Sequence, residues 1–492
     1  MIKRLKFGYF CLQIKDNATM ISRDITGGGR IDAGLTALWL GLMAIGWLMI
    51  YAVGYKLGYD KMEFGEFMLK TSVGKQTIFI GVSLLLTLLI FSIDEKIWRV
   101  FAYPIFGAGL LLLVAVLIFG KEIHGNKSWF NVGGFGFQPV EVAKLGTSLA
   151  LSSYLSSPSV NLRDSRAQTT VLGLIGVPMF LVLLQPDVGS MLVFLSFSIM
   201  LYREGMSGVP FIIALGLAIV AILALMLPVN ELVAYIMMLV LLIFAFNITQ
   251  HQRLWLTGTV ALLVGAAYIL HVFKSPQLAI SFLLAAVLGY LVVHSRRGRF
   301  RLVILTGGAL FICCMLAFGT RFLFDNVLKK HHRDRINIWL NTDKVDPRGP
   351  AYNLNNSKMA IGSGGLQGKG FLEGTMTKLN FVPEQNTDFI FSTIGEEQGF
   401  IGVFGVIAIF LMFLFRIIQI AERQPANFVR LYAYCLAGIF FFHFFINIGM
   451  TMGVWPVVGI PLPFISAGGS SLMSFTIMVA ILLRLDSHRY SS

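Results

Sequence analysis

The feature that most constrains this chain is a run of about 20 apolar residues, long enough as a helix to cross a bilayer, that recurs from Ala33 to Leu483. Inside lipid every backbone N–H and C=O must be satisfied within the protein, so a spanning segment is a helix or a closed-barrel strand. These runs lack the apolar–polar alternation of barrel strands, which leaves helices. Charged residues make up only 13% of the chain, against roughly 25% in ordinary soluble domains. The expected fold class is therefore an all-α polytopic membrane protein.

Spans are predicted at 33–55, 77–93, 100–120, 138–156, 169–186, 189–203, 210–228, 231–247, 255–270, 278–293, 302–320, 397–415, 430–451 and 471–485, fourteen in all. An even number places both termini on one side. The segment 1–32 carries Lys3, Arg4, Lys6, Lys15, Arg23 and Arg30, so it is expected in the cytoplasm. The first apolar run has full membrane length and no small-x-small cleavage site, and reads as a signal anchor; Met20 is an alternative start. Alternation then puts Lys96, Arg99, Arg163, Arg166, Arg203, Arg253, Arg416, Arg423, Arg430, Arg484 and Arg489 inside. The cluster Arg296, Arg297, Arg299 and Arg301 is the strongest anchor. It sends 302–320 outward, places 321–396 outside as one large loop, and leaves 486–492 as a cytoplasmic tail. The short outer loops hold fewer cations: Lys56, Lys61, Lys70, Lys75, Lys121, Lys127 and Lys274.

A net charge of +14 would suggest nucleic acid in a soluble protein. Here the cytoplasmic-loop bias accounts for it, and no nucleic-acid partner is expected. The cysteines Cys11, Cys313, Cys314 and Cys435 all lie outside the large loop, so neither a disulfide nor a thiolate metal site is expected.

A loop this long without low-complexity filler points to function. Its glycines, Gly362, Gly364, Gly365, Gly368 and Gly370, fit either loop flexibility or close backbone approach to a ligand. They do not form a P-loop, because no GKS or GKT follows. Acids from Asp325 to Glu397 are mixed with Arg333, Arg335, Arg348, Lys358 and Lys369. Such a mixture suits a phosphorylated substrate, with cations holding the anion and a carboxylate taking a proton. A solvated charged face explains the same pattern.

The wording of the loop goes further. It contains Asp346-Pro347, Gly349, Tyr352, Ser357, Ala360-Ile361-Gly362-Ser363-Gly364-Gly365 and Gly368-Lys369-Gly370. Pro383-Glu384, Thr387-Asp388-Phe389-Ile390-Phe391, Glu396-Glu397, Gly399 and Gly402 follow. Outside the loop stand Phe137-Gln138-Pro139-Val140-Glu141-Val142-Ala143-Lys144, Gln185-Pro186-Asp187-Val188-Gly189 and Pro461-Leu462-Pro463-Phe464-Ile465-Ser466-Ala467-Gly468-Gly469-Ser470-Ser471. Together these resemble the SEDS family (shape, elongation, division and sporulation), whose branches include RodA and FtsW. Val140 and Ala467 stand where the family usually has Ser and Tyr. The loop wording is closer to the RodA branch. Family members have about ten spans, so four of the fourteen here, within 210–293, read as an insertion between 33–209 and the helix 302–320, with 397–485 completing the core.

The resemblance implies a peptidoglycan glycosyltransferase that polymerises lipid II on the outer face of the bacterial inner membrane, with polyprenyl diphosphate leaving. It implies a class B penicillin-binding protein and elongation-complex membrane proteins as partners. Asp346 matches the family's catalytic aspartate and would be the general base; Asp343 is its nearest rival. Lys75, Arg335 and Lys369 are the cations expected around the diphosphate. A divalent cation, magnesium or manganese, would bind there through oxygen ligands. Glu141 and Lys144, spaced i, i+3, either line a polar cavity below the loop or lock the helix as an ion pair. Asp187 sits in a similar setting, and Glu384 and Asp388 either order the loop or bind metal. His443 and Asn447 are expected to make interhelical hydrogen bonds, and 466–471 to permit close helix approach or a re-entrant turn. A flippase, an O-antigen ligase and a non-catalytic scaffold are the competing readings.

Overall fold

A computed structural model of the chain describes residues 31–55, 63–123, 126–132, 135–246, 253–272, 275–296, 300–328, 330–340 and 351–489. In chain order it opens with α1 (Ala33–Gly54), α2 (Phe64–Lys70), α3 (Ser72–Ser92), α4 (Glu95–Val100) and α5 (Ala102–Phe119). A three-stranded antiparallel sheet follows: β1 (Lys121–Ile123), β2 (Asn126–Val132) and β3 (Phe135–Phe137). Next come α6 (Pro139–Leu155), α7 (Ser165–Leu184), α8 (Val188–Phe194) and α9 (Phe197–Arg203). Then α10 (Val209–Met226), α11 (Val229–Phe246), α12 (Arg253–Val272), α13 (Pro276–Arg296) and α14 (Phe300–Phe322) run on, and α14 ends in a π turn, Leu323–Val327. The large loop holds α15 (Lys330–Leu340), α16 (Tyr352–Ser363) and α17 (Thr375–Lys378). The chain closes with α18 (Ile390–Arg423), α19 (Asn427–Thr451) and α20 (Gly469–Ser487).

All fourteen predicted spans fall on helices. Among the described residues nine helices are long and apolar enough to cross a membrane. The protein is a multi-pass membrane protein. The predicted span 189–203 is broken between α8 and α9, where Leu195 and Ser196 end one helix and start the next. The short connection expected between 120 and 138 is instead the small sheet, pairing Lys121 with Trp129 and Phe130 with Phe137. Its aromatic and β-branched residues around Gly125 and the pair Gly133-Gly134 are a hairpin signal that a membrane-length hydropathy window averages away.

The chain divides into two compact units. The first comprises the described residues up to Gly205 together with Ser357–Thr451 and those from Val458 on. At its centre lie α19 and α20, with 72% and 78% of their most apolar windows buried, against 22% for α5. The peripheral helices keep large apolar side chains such as Leu88, Leu111 and Phe119 exposed, as a lipid solvent favours. Six rings, those of Phe410, Phe413, Phe440, Phe444, Phe464 and Phe475, pack stacked or edge to face with centroids 4.5 to 6.0 Å apart. They anchor the turn between α19 and α20, where Phe464 adopts a left-handed φ of 66°. A Cβ at Gly46 of α1 would stand 2.5 Å from the Phe464 carbonyl, so only glycine lets α1 seat against that turn.

The helix α18 has 34 residues, which would make about 51 Å of continuous helix, more than the roughly 30 Å hydrocarbon core. It is kinked at Gly399 (φ 62°, ψ −160°). The charge-free stretch 400–415 follows the kink, and Glu396 and Glu397 stand ahead of it.

The second unit comprises Met206–Asn356 and Met452–Val457. Here α11 packs against α12, α13 and α14. Two apolar clusters hold these helices together, one around Ala234, Leu241, Ala266 and Leu283 and one around Ala224, Leu232 and Ala317. In the same unit Trp339 donates from Nε1 to the Val454 carbonyl at 3.2 Å, and its ring lies 6.1 Å from that of Trp455.

Candidate active site

The polar heart of the first unit is built on α6. Pro139 at the first helical position starts this helix, and three residues apart Glu141 and Lys144 come onto one face. Their side chains form an ion pair at 2.8 Å, and both are almost wholly buried. Lys144 Nζ also donates to His443 Nε2 of α19 at 2.8 Å, and its charge lies 5.4 Å from the centre of the Phe475 ring. Glu141 Oε2 has no hydrogen-bond partner among the described residues. Beside this group Asp187 caps α8, accepting from Ser190 N at 3.0 Å, Ser190 Oγ at 2.8 Å and Gln138 Nε2 at 3.2 Å.

The turn 461–467 connects this core to the loop. His443 Nδ1 lies 3.2 Å from the Pro461 carbonyl, and Asn447 Nδ2 donates to the carbonyls of Ile460 and Asp388. Ser466 Oγ donates to the Thr387 carbonyl at 2.6 Å, and Ala467 N donates to Asn386 O at 2.9 Å. His443 thus makes the expected interhelical hydrogen bond, to Lys144 of α6, whereas both bonds of Asn447 go to carbonyls of non-helical segments. No sequence signal links positions so far apart.

A second cluster sits in the loop. Gly364, Gly368 and Gly399 let the loop backbone lie directly on the kinked start of α18: a Cβ at Gly368 would stand 2.1 Å from Glu397 O, and one at Gly399 2.2 Å from Gly368 N. The contact is sewn by Lys369 N to Glu396 O, Gly370 N to Glu397 O, Phe400 N to Gly365 O and Ile401 N to Leu366 O. These glycines serve close approach of backbone to backbone. Above them the buried Glu396 carboxylate accepts from Lys369 Nζ at 2.7 Å, Met376 N at 2.8 Å, Thr377 N at 2.9 Å and Thr377 Oγ1 at 2.8 Å, with Thr375 Oγ1 at 3.3 Å. Burial by itself would raise its pKa, but the bonds from Lys369, Met376 and Thr377 outweigh burial and hold it below the ordinary carboxylate value. Neighbouring Glu397 is 1% exposed, with the backbone N–H groups of Leu372 and Gly374 beside its carboxylate.

The other predicted site residues are distributed as follows. Lys75 lies exposed in the first turn of α3. Glu384 has a left-handed φ of 57°, and its Oε2 accepts from Thr387 Oγ1 at 3.1 Å. Asp388 follows in the same segment, and Arg335 belongs to α15 in the second unit. Asp343 and Asp346 lie outside the described residues. Among the described residues no three His, Cys, Asp or Glu side chains converge as metal ligands.

A multi-pass helical protein with a folded loop seated on a buried, charged helical core is the class that fold and site define. Residues 33–240 and 230–491 match the FtsW/RodA/SpoVE family of cell cycle proteins. The chain belongs to that family. It is 32% identical over 467 residues to the peptidoglycan glycosyltransferase RodA of Treponema pallidum (strain Nichols), covering 94% of this chain and 99% of the relative. It is 27% identical over 462 residues to the peptidoglycan glycosyltransferase MrdB of Escherichia coli (strain K12), covering 94% of each. Among solved structures, a chain of a peptidoglycan synthase complex coordinating polymerization and crosslinking matches with a TM-score of 0.58 and 25% identity, over 94% of this chain and 99% of that one. The rod shape determining protein RodA of Thermus thermophilus shares the fold, with a TM-score of 0.53 and 23% identity over 94% and 98% of the two chains. The two family segments overlap at 230–240, within the stretch expected to carry the inserted helices.

Proposed function

We propose that this chain is a peptidoglycan glycosyltransferase of the elongation type, polymerising lipid II into glycan strands. The observation that carries the reading is 32% identity sustained across 94% of the chain with a relative of that activity. In the reaction the acceptor hydroxyl oxygen bonds to the donor's anomeric carbon. The bond from that carbon to the diphosphate breaks, and its electrons leave with the polyprenyl diphosphate. Asp346 takes the hydroxyl proton. Lys75, Arg335 and Lys369 are the proposed partners of the diphosphate; Lys369 would exchange Glu396 for it. Glu141, Lys144 and Asp187 form the polar floor, with Glu384 and Asp388 ordering the segment above. A divalent cation, magnesium or manganese, is the proposed cofactor, supplying Lewis acidity to the leaving group.

In this reading the protein lies in the bacterial inner membrane with both termini cytoplasmic and 321–396 outside, and the helices within 210–293 are an addition to the family core. Its partner is a class B penicillin-binding protein, supported by the synthase complex among the matching structures, within a wider set of elongation-complex membrane proteins. The test is an assay of purified full-length protein with lipid II and the divalent cation, with and without that partner. Glycan product from the wild type and none from a folded Asp346→Asn variant is the expected result. Lipid movement across vesicles without glycan product would overturn the reading in favour of a flippase, and product from the variant would remove Asp346 from its role.

A further inference from the structure

A buried lysine ammonium keeps three N–H donors, and each needs a partner in a low-dielectric core. Lys144 meets Glu141 Oε1 on one side and His443 Nε2 on the other, both at 2.8 Å. An ammonium group only donates, so Nε2 must be the acceptor and the ring proton must sit on Nδ1. That proton points at the Pro461 carbonyl, 3.2 Å away. The imidazole therefore has one defined tautomer, assigned from its two partners. It is 2% exposed and stands edge-on to Phe475.

The consequence is mechanical as well as electrostatic. Through His443 the position of Lys144 on α6 is tied to the Pro461 turn. Through Ser466, Ala467 and Asn447 the same turn and helix hold the loop backbone at Asn386, Thr387 and Asp388. Glu141 Oε2, 1% exposed as a residue and without a hydrogen-bond partner among the described residues, is an acceptor beside Lys144 left for a ligand hydroxyl or amide. We propose that His443 is a positioning residue: its Nδ1–H tautomer fixes Lys144 and Glu141 relative to the loop segment 386–388, and so sets the geometry in which the lipid-linked substrate reacts. This rests on the glycosyltransferase reading above.

Two measurements on the full-length protein test it. In the polymerisation assay His443→Leu keeps an apolar side chain against Phe475 but neither hydrogen bond. It is expected to lower kcat about tenfold or more, with KM changed less than about threefold. His443→Gln, which can accept from Lys144 and donate to Pro461, is expected to recover kcat to within about threefold of wild type at a melting temperature no higher than that of His443→Leu. Wild-type kcat in His443→Leu, or activity losses that follow the melting temperatures of both variants, would overturn the proposal. Nitrogen-15 NMR of histidine-labelled protein, with His443→Gln assigning the signal, reads the tautomer without any activity. A Nδ1–H ring whose Nε2 resonance moves in Lys144→Met is expected. A Nε2–H ring, or a resonance indifferent to Lys144→Met, would sink the proposal whether or not the protein polymerises lipid II. Failure of the wild type to make glycan, with the expected NMR result, would instead remove the glycosyltransferase reading and leave the positioned pair.

Discussion

Replacing Glu396 by Gln tests whether the loop is held on α18 by one buried carboxylate. Lys369 Nζ, Thr375 Oγ1 and Met376 N donate to Oε1 of Glu396, and Thr377 N and Oγ1 to Oε2. An NH2 group at either position meets a backbone N–H, Met376 or Thr377, that can only donate, so at least one hydrogen bond is lost along with the charge. Each bond to a charged acceptor contributes about 1.5–3 kcal/mol, and breaking a buried pair costs about 3–5 kcal/mol. The Lys369 side chain is 27% exposed and can turn to water, which places the expected loss near the lower end, about 3 kcal/mol. Lys369→Met leaves the carboxylate four donors and should cost less, about 1.5 kcal/mol. In the double variant the two losses should fall short of their sum by about 1 kcal/mol or more, because the same ion pair is counted in both. Thermal melting in detergent, together with limited proteolysis of the loop, reads the cycle. A Glu396→Gln protein that melts and resists protease like the wild type, or additive single effects, would refute the clasp.

Glu396, held low, contributes above its ordinary value and loses that contribution only as pH falls below 4.5. Gly399→Ala forces a side chain into a left-handed backbone and against Gly368 N, and should destabilise the protein by about 3 kcal/mol or more; an unchanged melting temperature would show that the kink can relax.

What could be read from the residues follows the range of the forces involved. The helices were legible because apolar runs of membrane length have few other fates; every predicted span falls on helical residues, 189–203 on two short helices in place of one. The sheet around Trp129 was missed because its strands are short and their signal is weaker than the flanking helices. The ion pair of Glu141 and Lys144 was visible as a spacing of three along one helix. Its third member, His443, lies 299 residues from Lys144 and emerges only when α19 packs on α6. The Glu396 clasp was invisible for the same reason: its donors lie 19 to 27 residues away, and nothing in the loop's mixed charges distinguishes them from a solvated face. Asp346 was singled out only by resemblance, since an Asp before Pro is an ordinary turn signal.

The loop's glycine-rich wording shows how a motif can be both recognisable and easily misread. A run of glycines beside lysine invites a ligand-cradling interpretation, yet Gly364 and Gly368 face the backbone of residues 395–398, not an open cleft. With no side chain between them, loop and helix share hydrogen bonds as a strand pair would, and this brings Lys369 and the 375–377 turn onto Glu396. The same close approach leaves Glu397 buried beside them. The motif's chemistry is then indirect: glycine sets a backbone distance, and that distance sets two buried carboxylates side by side at the mouth of α18.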